Sequence, residues 1–475
     1  MKNRLLALLV LCTFIYGCNS GGGGGGGGGG TTDPPVDPPE VPPVLIIPMD
    51  NGPSGDELGV TDGTDVGTYF LKDIYVGATS SNASIMDNRR FLTINGTTYL
   101  RARNATTGTE LWKSDGTTAG TTLVIDIFTG TPQSYPDHFA NLGNSLIFCA
   151  GDITNGSEIR KSDGTEAGTV LTKDIRPGAV GANISSMKVI NGTAYFQADD
   201  GVNGPELWKS DGTAAGTVMV KDIYPGATGS NPVHLTAFGS TLIFRATDGV
   251  NGSELWQSDG TAAGTVMLAD INPGGGGSTL SYITIKDGLI FFQARTDSTG
   301  WELWKSDGTA AGTVMVKEIN PGSNSSSPEE LTFLGSTVYF RANDGVNGAE
   351  LWKSDGTLAG TVMVKDIYAG ANSSSPGLFT VLGNSLLFRA ADGTNGTELW
   401  QSDGTAAGTV LLKDIYAGAN SSDIANIFPL GTKGIVFGAN DGVNGLEPWF
   451  SDGTATNTFM IKDCNVGAGD GWWDD

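Results

Sequence analysis

The residues best suited to chemistry sit in one repeated loop. Asp200, Asn203 and Glu206 stand in Asp-Gly-Val-Asn-Gly-Pro-Glu, and Asp248, Asn251 and Glu254 repeat them in the next copy. The trio returns at Asp344/Asn347/Glu350, Asp392/Asn395/Glu398 and Asp441/Asn444/Glu447. Oxygen ligands around a glycine-rich turn suit a hard cation such as calcium. The same residues also make an ordinary turn, in which Asp and Asn bond the local backbone and glycine supplies positive φ. The turn is the reading adopted, so no metal or cofactor is assigned and calcium stands as the alternative. If the two strands that follow pair with Glu206 opposite Asp222, like charges face each other. A one-residue shift would pair Glu206 with Lys221 instead.

A second position, after the Asp-Ile pair of each copy, holds Tyr75, Phe128, Tyr224, Tyr368 and Tyr416, but Arg176, Asn272, Asn320 and Asn465 elsewhere. Strand connectivity puts it on the same rim as the turns above. Aromatic platforms beside Asp and Asn suit sugars; the plainer expectation is a tyrosine packed over its own loop. Catalysis finds little support. The two histidines, His138 and His234, share one repeat position, 25 residues before an Asp-Gly-Thr aspartate, and read as scaffold. Two His and four Cys do not make a Cys/His metal cluster. No nucleophile elbow, Walker loop or HExxH string is present. The chain is expected not to be an enzyme.

What must position these residues is a repeat. The Asp of an Asp-Gly-Thr triplet falls at 62, 115, 163, 211, 259, 307, 355, 403 and 452, at spacings of 53, then 48 six times, then 49. So regular a period means one supersecondary unit copied nine times. In the copy near Pro232, His234–Phe238, Thr241–Ala246, Glu254–Ser258 and Thr265–Ala269 read as four short strands, the first two joined by a Gly239-Ser240 hairpin turn. Four antiparallel strands in about 48 residues match a propeller blade. The predicted fold is therefore all-β, a propeller of nine blades with eight as the alternative.

The ends of the array are offset. The first copy lacks its opening strand, since Val44–Met49 aligns with the second strand, Thr241–Ala246. The last copy ends where a further opening strand would begin, and Trp472 and Trp473 are placed to fill the gap in a closed ring. Trp112, Trp208, Trp256, Trp304, Trp352, Trp400 and Trp449 recur once per copy, as expected of a flat residue wedged between neighbouring sheets.

Three segments follow from composition. Residues 1–18 form a signal peptide: Lys2 and Arg4, an apolar run from Leu5 to Tyr16, then Gly17-Cys18. This resembles the bacterial lipobox, which implies lipidation at Cys18. Asn19 rather than Asp after the cysteine implies outer-membrane sorting in a Gram-negative cell. Residues 19–43 form a tether, ten consecutive glycines and then a proline-rich stretch. Residues 44–475 form the propeller. A net charge of −24 disfavours nucleic acid and anionic membrane surfaces, leaving the lipid as the membrane contact. Cys149 and Cys464 lie six copies apart and are expected to remain unbridged.

The string Glu-Leu-Trp-x-x-Asp-Gly-Thr followed by Gly-Thr resembles the ELWxxDGT repeat family of bacterial secreted and surface proteins, over residues 44–475. That resemblance implies the fold and the location. Ala105–Lys113 is also similar to the tryptophan-docking motif of pyrroloquinoline-quinone propellers; the likeness concerns docking between blades and carries no quinone. The expectation is a lipid-anchored surface module that binds or scaffolds an unidentified protein or glycan. A multivalent glycan-binding surface and a quinoprotein-like enzyme are the alternatives.

Overall fold

The computed structural model describes residues 45–77, 79–83, 89–467 and 469–472. The signal segment with Cys18, the tether, Val44 and Trp473 lie outside them. The described chain forms nine antiparallel sheets in sequence order around a ring. Eight have four strands, here a to d, and the first has three. In the fifth blade the strands are Val233–Phe238, Thr241–Thr247, Ser253–Ser258 and Val266–Ala269, close to the segments expected. First strands of successive blades approach one another, from Phe91–Ile94 of blade 2 to Ala425–Pro429 of blade 9, so strand a lines the axis. Blade 1, Leu45–Lys72, supplies b, c and d only. Nine blades, with the missing opening strand, is the count.

The alternation of strand c explains the stacking. Leu207 turns toward blade 5, joining Leu242, Phe244 and Trp256. Trp208, one residue on, turns toward blade 3 and packs with Ile147, Cys149 and Ile159. Each tryptophan is thus wedged against the preceding blade, and Lys173 of blade 3 sits 5.8 Å from the Trp208 ring. That lysine also donates to the Thr217 carbonyl at 2.7 Å. Lys221 does the same to Thr265, Lys317 to Thr361 and Lys365 to Thr409, at 2.7–2.8 Å. Lys462 of blade 9 reaches Thr68 of blade 1 at 2.8 Å, so the same latch closes the ring.

The Asp-Gly-Thr string is committed to its own loop. Asp211 Oδ1 accepts from the Thr213 amide at 2.9 Å and its hydroxyl at 2.7 Å. Ser210 and Thr217 hydroxyls bond at 2.7 Å beneath it. Such a loop needs these side chains in every copy, which accounts for the constancy of the string. Cys149 and Cys464 are free thiols in different interblade layers.

Candidate functional site

The calcium candidates separate into two structures. Asp200 Oδ1 accepts from the amides of Val202 and Asn203 at 2.9 and 2.8 Å, and Asn203 Nδ2 donates to Oδ2 at 2.8 Å. Asp248 and Asn251 repeat this at 2.7–2.8 Å. Burial opposes ionisation of Asp200, but the bonds from Asn203 and Val202 outweigh it and hold the carboxyl below its usual range. Glu206 is fully buried and its bonds go elsewhere. It accepts from the amides of Ile223, Tyr224 and Ser230 at 3.1, 3.0 and 2.9 Å, and from the Ser230 hydroxyl at 2.5 Å. Glu254 likewise takes the amides of Ile271 and Asn272. Asp and Asn hold a turn; Glu ties strand d to the connector entering the next blade. Among the described residues, no group of three or more His, Cys, Asp or Glu is placed to hold a metal ion.

The register sets Leu207 opposite Lys221, so Glu206 runs alongside Asp222 and the alternative Glu–Lys pairing is not made. Like charges do remain neighbours, and the amide donors compensate. Burial, reinforced by the adjacent aspartate, pushes Glu398 and Glu447 up to about 7 against those donors.

The variable aromatic position is an interblade contact. A side chain on Gly249 of blade 5 would collide with the Tyr224 ring of blade 4, within 2.4 Å, so glycine there (φ +80°) lets the ring lie flat on the neighbouring turn. Tyr368 and Tyr416 cover Gly393 and Gly442 in the same way. Tyr75 stacks under Arg103 of the next blade at 5.2 Å. Arg176 bonds Asp199, and Asn272 accepts the Asp297 amide. The tyrosines pack over the next blade's loop, not their own. Phe128 sits half-buried at the same position.

The residues that sequence reasoning passed over, or in the case of the two histidines read as scaffold, lie on the axial strands and the connectors leading to them. Strand a carries a bulge in each of seven blades, shown in blade 5 by the register step between Val233↔Arg245 and Thr236↔Ile243. The bulged residue is His138, Ser186, His234, Tyr282, Glu330, Leu378 or Asn426, with φ between 50° and 61°. Three residues earlier a second left-handed position holds Tyr135, Asn183, Asn231, Thr279, Ser327, Ser375 or Asp423, with Asn82 in the blade before. Fifteen of the eighteen non-glycine residues with positive φ among the described residues occupy these two positions.

Charge gathers beside them. Arg90 Nε lies 3.0 Å from Asp137, with Arg101 at 3.7 Å and His138 at 3.9 Å. Arg341 pairs with Glu329 across strands a and b of blade 7. Burial holds Glu330 above its usual range, although Arg341 and Arg389 favour its charged form. Burial, then the Arg245 guanidinium, pulls His234 down to about 4. Six of the eleven arginines in the chain (89, 90, 101, 245, 341 and 389) belong to strand a's entry or to this position of strand b. The clue was available in the sequence: the position shared by His138 and His234 holds Ser, Tyr, Glu, Leu or Asn in the other five bulged copies.

No family model and no curated protein matches the chain. Among solved structures it is similar to the computationally designed Ika8 protein, with TM-score 0.43 and 15% identity, covering 78% of this chain and 98% of that one. It is also similar to puromycin hydrolase, with TM-score 0.39 and 15% identity, covering 76% of this chain and 59% of that one. For oligopeptidase B from Leishmania major the TM-score is 0.41 and the identity 12%, covering 71% of this chain and 49% of that one. The match thus spans less than two thirds of either enzyme's length.

Proposed function

We propose that this chain is an exported, lipid-anchored binding module, displayed from the outer membrane on its glycine- and proline-rich tether, whose ligand meets the propeller axis. Cys18 and its flanking residues support the anchor. One observation carries the axial reading: the chain accepts non-glycine side chains in left-handed backbone seven times on the axial strands and eight times in the connectors leading to them. Ten of the fifteen are neither Asn nor Asp, and each of those costs on the order of 1–3 kcal/mol relative to a relaxed conformation. Glycine would avoid the strain, and the chain uses glycine at its Asp-Gly-Thr turns and most other positive-φ positions. Side chains retained against that cost, and varied among the copies, are what a surface that distinguishes one ligand needs. The partner class is a protein or a glycan, and the role is binding rather than catalysis.

The test places a photo-activatable cross-linker at Ser186 on the axis or at Val362 on an outer strand, in cells fed a labelled fatty acid. The expected result is a labelled membrane protein that cross-links a partner from position 186 and not from 362. An unlabelled protein would remove the anchor, and equal cross-linking from both positions would remove the axial surface.

A further inference from the structure

One cavity opens where two of these left-handed connector positions meet. It measures about 340 Å³ and lies between the connectors entering blades 7 and 8. That is at the small end of the ~300–1,000 Å³ typical of small-molecule sites. Its wall includes Ser327 and Ser375, both left-handed residues with φ 47°, together with Glu329, Arg341 and Asn343. Neighbouring Ser326 is committed to the scaffold, its hydroxyl donating to the buried Glu302 at 2.6 Å. Asn343 accepts the Gly345 amide through Oδ1, which turns its amide nitrogen to other partners.

The chemistry of the wall selects among ligands. Glu329 and Arg341 neutralise each other, yet their side chains stay 27% and 29% exposed and reachable. A net anion would have to displace the carboxylate, and a net cation the guanidinium. No large apolar side chain lines the cavity, so a hydrophobic ligand gains little there. What fits is a neutral molecule dense in hydroxyl groups, each able to donate to Glu329 while accepting from Arg341 or Asn343.

Resting on the axial binding reading above, we infer that this cavity is a saccharide subsite that holds one neutral, hexose-sized residue. Adjacent hydroxyls of that residue bridge the Glu329–Arg341 pair, and the serines at 327 and 375 close the rim. The two serines stand where glycine would relieve strain, consistent with hydroxyls kept for contact.

The experiment uses the full chain in a detergent without a sugar headgroup. Glucose, galactose, mannose, N-acetylglucosamine and their disaccharides are screened by saturation-transfer NMR and then titrated. At least one should bind. Arg341→Met with Glu329→Gln should weaken it about tenfold or more, the loss expected for a charged hydrogen-bonding pair. Ser327→Gly should also weaken it while leaving the melting midpoint unchanged or higher, so its effect is not one of folding. Arg245→Met in blade 5 should leave binding intact. If no sugar binds, or if binding survives Arg341→Met/Glu329→Gln and Ser327→Gly, the subsite is overturned. Loss in Arg245→Met alone would overturn the subsite and leave the axial reading standing; binding that no axial variant alters would overturn both.

Discussion

Replacing Trp472 with alanine is expected to lower the stability of the propeller by about 3–5 kcal/mol, the range for emptying a large aromatic from a core. Trp472 is fully buried in the seam between blades 9 and 1, the junction between the last and first blades of the sequence. Its indole packs with Ile47 and Met49 of blade 1 and with Leu430, Val436 and Ile461 of blade 9. The backbone joins in: Gly471 and Trp472 donate to the Leu446 carbonyl at 2.9 and 2.8 Å, and Gly471 accepts the Asp50 amide at 3.0 Å. The last bond repeats in other blades as Thr247 to Ser230 and Arg295 to Ser278, so the chain's final segment plays connector to its first blade. The ring lies flush on Gly438, where a Cβ would approach it to 2.5 Å. Four other copies carry arginine at this position, namely Arg101, Arg245, Arg341 and Arg389. Gly438→Arg should therefore evict the indole and act like Trp472→Ala. A urea titration that finds both variants as stable as the parent would show that the seam closes by other means.

Glu398→Ala should cost about 3 kcal/mol or more, because it strands buried donors worth ~1–3 kcal/mol each. Glu398 is fully buried and accepts from the amides of Ile415 and Ser422 at 2.8 and 3.0 Å. The pH dependence has a definite sign. Burial, with Asp414 adding to it, raises this carboxyl from its ordinary 4.5 to about 7, despite the amide donors. A carboxyl raised on folding takes up protons in the native state at pH values where the unfolded chain has released them. Its ionisation penalty is absent below about 4.5 and complete above about 7, so stability falls as pH rises through that window. Glu57, Glu110, Glu158 and Glu447 are raised to about 7 as well, and the window should be visible in the whole protein. Melting scans from pH 5 to pH 8 should show a declining midpoint, with a shallower decline in Glu398→Gln. A midpoint that climbs over that range would contradict the assignment.

The scaffold was legible because its signals are local and repeated. Period, strand alternation, the hairpin at Gly239-Ser240 and one tryptophan per copy each pointed to the same blade. The offset ends, with strand b of blade 1 starting the ring, were legible for the same reason. Glu206 was misjudged as a partner of Asp200 because sequence proximity suggested a shared turn. Its real partners, Ile223, Tyr224 and Ser230, are reached only once strands c and d pair. The tyrosines were placed on the right rim but over the wrong loop, since contact between blades depends on ring geometry. The axial bulge left no direct mark, because backbone φ is not written in side-chain type. His138 and His234 looked like scaffold through sharing a position, whereas Tyr282, Glu330 and Leu378 at that position show that the copies diverge there.

Apart from Leu378 and Tyr282, which pack against interblade cores, the left-handed side chains on this account serve a ligand and not the fold. The most direct measurement is the stability of glycine substitutions at left-handed positions with little packing, Ser186→Gly and Asn426→Gly on strand a and Ser375→Gly in a connector, singly and combined. Glycine relieves the left-handed strain of ~1–2 kcal/mol and returns ~0.5–1 kcal/mol as unfolded-state entropy. The account predicts an unfolding midpoint unchanged or raised, with the combined variant at least as stable as the parent. A combined variant destabilised to the extent of Glu398→Ala would mean that these side chains build the ring, and would contradict it.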